Sequence, residues 1–152
     1  IMSVFLKQLR AESAAIEQFI ALLGQEEQAM VGGRFSELPA ITSRKAELQE
    51  RMAEMDRQRE ALQHALGFAP GRAGADAAAA SQGDEVQAAW AHLLALAGQA
   101  QAGNKHNASI VFTHLDFTQN ALRFLRASGQ LFYGPDGARR AAAGAGNRLA
   151  LG

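Results

Sequence analysis

Apolar residues at Met2, Phe5, Leu9, Ile16, Phe19, Leu23 and Met30 follow one another by steps of three, four or seven, the spacing of a helix with one apolar face. Glu12 and Glu26 occupy the two vacant places in that series. "VGGRFS" from Val31 breaks it, with two glycines to end a helix, Ser36 placed to cap the next, and Pro39 where a first helical turn tolerates proline. A second stripe follows at Leu38, Ile41, Lys45, Leu48, Met52, Met55, Arg59, Leu62 and Leu66, and here the polar interruptions are the bases Lys45 and Arg59. The stretch "GFAPGRAGADAAAASQGD" has no large apolar residue after Phe68 and reads as a linker over 68–83. Periodicity resumes at Val86, Trp90, Leu93 and Ala97 and runs past Asn104 and Asn107 to Val111, Thr118, Ala121 and Leu125. The pattern therefore predicts an all-α fold: helices over roughly 2–32, 36–67 and 84–129, the first two an antiparallel coiled-coil hairpin and the third a long helix completing an up-down bundle. Gly103 is a place where that long helix can kink, but no proline or cluster of breakers stops it.

In an antiparallel hairpin, facing residues have position numbers with a constant sum. A sum of 71 sets Met30 against Ile41, Leu23 against Leu48, Phe19 against Met52, Ile16 against Met55, Leu9 against Leu62 and Phe5 against Leu66. Apolar matching alone does not choose among registers a heptad apart. The interruptions do, because at this sum Glu26 faces Lys45, Glu12 faces Arg59, and the bend falls in "GGRFS". Breaking one such partly buried pair costs ~3–5 kcal/mol, so these four residues are expected to set the register.

Between Ile110 and Leu131 a second heptad-spaced set, Ile110, Phe117, Phe124 and Leu131, lies beside Val111, Leu115, Leu122 and Leu125. The combined arc is wider than the ~100° stripe that suffices for packing on a core. Two readings fit. A three-helix core needs a broad stripe on its central helix, or part of the arc is a docking surface for a partner's amphipathic helix or for a second copy of the chain. Phe132 and Tyr133 favour docking, since they lie past the last full turn that the hairpin would cover.

Composition narrows the classes of function. The 152 residues, 48% of them hydrophobic, suit a single domain, expected over 1–137 with a flexible Ala-, Gly- and Arg-containing tail over 138–152. Fifteen basic and fifteen acidic residues give no net charge, so neither nucleic acid nor an anionic membrane is favoured as a partner. The most apolar run, "AAWAHLLALAG", is well short of the ~20 residues of a membrane span, and no membrane insertion is expected. With no cysteine there is no thiolate chemistry or disulfide, which suits a cytoplasmic protein. His64, His92, His106 and His114 form no i, i+4 pair and no Glu-x-x-His element, so no metal and no cofactor is expected. "GAGNRLALG" lacks the preceding strand and the Gly-Lys-Ser/Thr of a phosphate loop. No nucleophile, paired acid or supporting strand suggests an enzyme.

The stretch "GNKHNASIVFTHLDFTQNALRFLRASGQLFYGPDG" resembles the FlgN family of flagellar type III export chaperones. The resemblance is carried by an Asn-x-x-Asn element, Asn104 and Asn107, followed by the aliphatics Ile110 and Val111, and by a Tyr-Gly-x-x-Gly signature at Tyr133, Gly134 and Gly137. "SRKAELQERM" suits the family's second helix. The resemblance implies a small cytoplasmic chaperone that holds hook-filament junction proteins of the FlgK and FlgL type by a C-terminal client segment and delivers them to the export gate. It implies client binding through Ile110, Val111, Phe117, Leu122, Phe124, Leu125, Leu131 and Phe132. It also implies docking of Tyr133 on the cytosolic domain of the gate protein FlhA. The alternative is a coiled-coil scaffold in which the surplus face meets its own copy as a homodimer.

Overall fold

The computed structural model describes residues 3–127. Four α-helices account for nearly all of them: α1 (Val4–Val31), α2 (Leu38–Ala65), α3 (Gly71–Ser81) and α4 (Asp84–Ala127). The chain divides into two compact units, residues 1–104 and 105–152, and α4 contributes to each.

In the first unit α1 is the central element. Ser3 caps it, its hydroxyl accepting from the Leu6 N–H at 3.0 Å, and its apolar stripe is buried at Phe5, Leu9, Phe19, Leu23 and Met30. The turn to α2 is a short 3-10 helix, Phe35–Glu37, rather than a capping loop. Ser36 sits inside that turn and does not cap α2. Glu37 takes the position before the helix without a side-chain capping hydrogen bond, and Pro39 falls in the first turn, where its missing N–H costs nothing. α2 is a peripheral helix: only Ile41 and Gln63 are buried, while Leu48, Met52, Met55 and Leu62 are half-buried.

Residues 68–83, expected as a linker, contain α3, an extra helix of 11 residues. The physical reason is that alanine, which carries no large apolar signal, is the best helix former and the smallest side chain that still packs. Ala75, Ala78 and Ala79 are fully buried in a core cluster with Phe5, Leu6, Leu9, Val86, Trp90 and Leu93. Gly74 makes the approach possible, because a Cβ there would fall 1.6 Å from the Ala69 carbonyl oxygen. Polar groups fix the α2–α3 corner. Gln63, 0% exposed, donates through Nε2 to the Ala69 oxygen at 3.0 Å and to the Gly71 oxygen at 3.2 Å. Glu60 accepts from the Gly71 N–H at 3.1 Å, which satisfies a donor at the start of α3.

α4 is continuous through Gly103, where the missing Cβ lets Leu23 Cδ1 come within 3.1 Å of the place it would occupy. A second cluster, Phe19, Leu23 and Ala100, lies along α1 and α4, with Leu48 and Met52 of α2 packed against it. Ile16 touches both clusters. The described part of the second unit, residues 105–127, is the C-terminal portion of α4.

Candidate functional site

Two polar ties cross the hairpin where acids and bases interrupt the stripes. At one, Lys45 Nζ lies 3.1 Å and 3.2 Å from the two carboxylate oxygens of Glu26 and also donates to Asn104 Oδ1 at 2.9 Å. Its ammonium stands 5.8 Å from the centre of the Phe19 ring. Asn104, the first asparagine of the Asn-x-x-Asn element, thus has a structural task, joining α4 to the α1–α2 pair. Asn107 is buried. At the other tie, Arg59 Nη1 reaches Glu12 Oε1 at 2.5 Å, while the same guanidinium bonds Asp56, donates to Gln63 Oε1 at 3.3 Å and covers the Trp90 ring at 5.3 Å. Trp90 Nε1 in turn donates to Asp76 of α3 at 2.5 Å. Glu12 is not fully served: Oε2 is buried with no hydrogen-bond partner. Burial pushes its carboxyl from the ordinary 4.5 up to about 7, against the pull of Arg59.

The residues expected to bind a partner separate by exposure. Phe117 and Phe124 are 70% and 71% exposed, whereas Ile110, Val111, Leu122 and Leu125 are half-buried, as is Leu115 beside them. Leu131, Phe132 and Tyr133 lie outside the described residues, as does the tail over 138–152. Sequence periodicity missed Phe112, which is 61% exposed. At ~100° per residue it falls on the far side of the arc from Phe117 and Phe124, so a search for heptad partners passes over it. A count of aromatics per turn finds it, since "VFTHLDFTQNALRF" holds three phenylalanines. Polar residues lie between these edges, with Asn120 Nδ2 3.4 Å from Asp116 Oδ2 and Thr118 Oγ1 donating to the His114 carbonyl at 3.0 Å.

Among the described residues no group of three or more His, Asp or Glu is placed to hold a metal ion. His92 instead lies 3.4 Å from Glu17. No described helix is long and apolar enough to cross a membrane.

The long last helix of this all-α chain thus leaves three phenylalanines exposed, Phe117 and Phe124 side by side and Phe112 apart from them. A family model for the FlgN protein matches residues 2–141, nearly the whole length, and the chain belongs to the FlgN family. It is 25% identical over 139 residues to the flagella synthesis protein FlgN of Yersinia enterocolitica, covering 90% of this chain and 89% of that relative. No solved structure matches.

Proposed function

We propose that the chain is a cytoplasmic flagellar export chaperone that binds the C-terminal region of hook-filament junction proteins of the FlgK and FlgL type and presents them to the export gate. The observation that carries this reading is the exposure of Phe117 and Phe124 on the C-terminal half of α4 in a chain of the FlgN family. A large aromatic exposed to water is poor for solubility and good for capture, since burying it yields roughly 25 cal/mol per Å² of apolar area removed from water. A client segment that is unfolded when free would form an amphipathic helix on this face and lose ordering entropy in doing so, which keeps affinity moderate and release easy. The half-buried aliphatics Ile110, Val111, Leu122 and Leu125 would supply the floor, Phe117 and Phe124 the wall.

The test is titration of the purified chain with a C-terminal peptide of a hook-filament junction protein. One-to-one binding is expected, weakened by ~1–3 kcal/mol in Phe117→Ala and Phe124→Ala, both of which should keep the wild-type melting temperature because the rings are exposed. A stable dimer that buries these phenylalanines and ignores the peptide would replace the chaperone reading with the homodimeric scaffold.

A further inference from the structure

We propose that Glu12 is a proton-binding site through which mild acidification stabilises the α1–α2 hairpin. The geometry comes first. The Glu12 side chain is only 7% exposed. Its Oε1 is taken by Arg59, and its Oε2 is sealed from solvent without a hydrogen-bond partner. The contrast with the other tie is direct, because both oxygens of Glu26 accept from Lys45.

Beyond Arg59, the described surroundings bring no positive charge to Glu12. From α2 it meets Arg59 and the acid Asp56, and from its own helix Gln8, whose side chain favours the carboxylate only weakly because its Nε2 is given to the Met55 carbonyl at 2.8 Å. The cavity of about 270 Å³ that Glu12 lines with Ile16 is walled on the α4 side by Trp90, Leu93, Leu94 and Ala97, all uncharged. Arg59 is itself shared with Asp56, Gln63 and the Trp90 ring, so it neither depends on a charged Glu12 nor serves it alone. A neutral carboxylic acid keeps Oε1 as acceptor for Arg59 and removes a buried charge that is strongly met at one oxygen only.

The direction follows from linkage. With the folded-state value raised from 4.5 to about 7, chiefly by burial, the folded chain holds a proton across that window which the unfolded chain has lost. Unfolding then releases a proton, and stability falls as pH rises through the window and levels off above it. This is the reverse of the usual behaviour of a salt-bridged carboxylate.

Two measurements decide it: a carboxyl ¹³C NMR titration of Glu12 in the wild-type chain, and urea unfolding of the wild type and Glu12→Gln at pH 5.5 and 8. The expected midpoint for Glu12 is near 7. The wild-type unfolding constant should rise by on the order of tenfold or more between the two pH values, and Glu12→Gln should lose that part of the rise and be the more stable chain at pH 8. A Glu12 midpoint in the ordinary carboxylate range, or equal pH dependence in both chains, overturns the proposal. If Glu12→Gln fails to fold, the midpoint from the wild-type titration decides between these outcomes by itself.

Discussion

Gln63 shows how much one buried polar side chain can organise. It follows Leu62 of the stripe, and nothing in the hydrophobic pattern marks it, because an isolated glutamine on a helix reads as solvated surface. Its value lies in where the chain turns: two carbonyls of the α2–α3 corner, those of Ala69 and Gly71, have its amide as donor. Gln63→Leu keeps the volume but removes both bonds to the corner, and should cost ~1–3 kcal/mol in chemical unfolding. Gly74 offers a test with an inverted sign. Glycine to alanine inside a helix ordinarily stabilises by ~1 kcal/mol. Here the new methyl would overlap the Ala69 oxygen, so Gly74→Ala should instead destabilise by ~1–3 kcal/mol. A melting temperature raised by Gly74→Ala would mean that α3 does not pack as described. At this scale the sequence was legible where charge interrupts a stripe, as at Glu12, Arg59, Glu26 and Lys45. It was illegible where a polar group answers backbone atoms distant from any periodic signal.

Among elements, the three long helices were readable because large apolar side chains repeat with the helical period, whereas α3 was not. A core contact made by Ala75, Ala78 and Ala79 leaves the same composition as a flexible spacer. Only the tertiary fit, with Gly74 against the corner and Asp76 accepting from Trp90, distinguishes the two. The register of α1 on α2 is a separate matter, and a double-mutant cycle examines it. Glu26→Lys sets two ammonium groups together at a tie whose side chains are 13% and 15% exposed, and should cost ~3 kcal/mol. Lys45→Glu should behave alike. The double exchange restores an opposite pair, and the amide of Asn104 can then donate where its oxygen accepted. Most of the loss should be recovered in urea unfolding. Additive losses would show that the pair is an onlooker and that apolar packing alone holds the register.

For the whole molecule, two jobs are expected close together in sequence, and they call for different chemistry. The arc on α4 was visible in the sequence as more apolar surface than a stripe needs, and of its residues Phe117 and Phe124 are the most exposed. Phe112, off the heptad, widens the aromatic set beyond what periodicity indicates. Tyr133, beside Gly134 and Pro135, lies outside the described residues, and docking on the export gate through it is what the family resemblance implies. If client capture and gate docking are distinct, their variants should separate. Phe124→Ala should weaken binding of the client peptide by ~1–3 kcal/mol and leave binding to the cytosolic domain of the gate protein unchanged, whereas Tyr133→Ala should do the opposite. Helical content and melting temperature, measured first on each variant, exclude unfolding as the cause. Should Tyr133→Ala release the client as readily as Phe124→Ala, the "LFYG" element would be a continuation of the client-binding face, and the two jobs would share one surface and exclude each other in time.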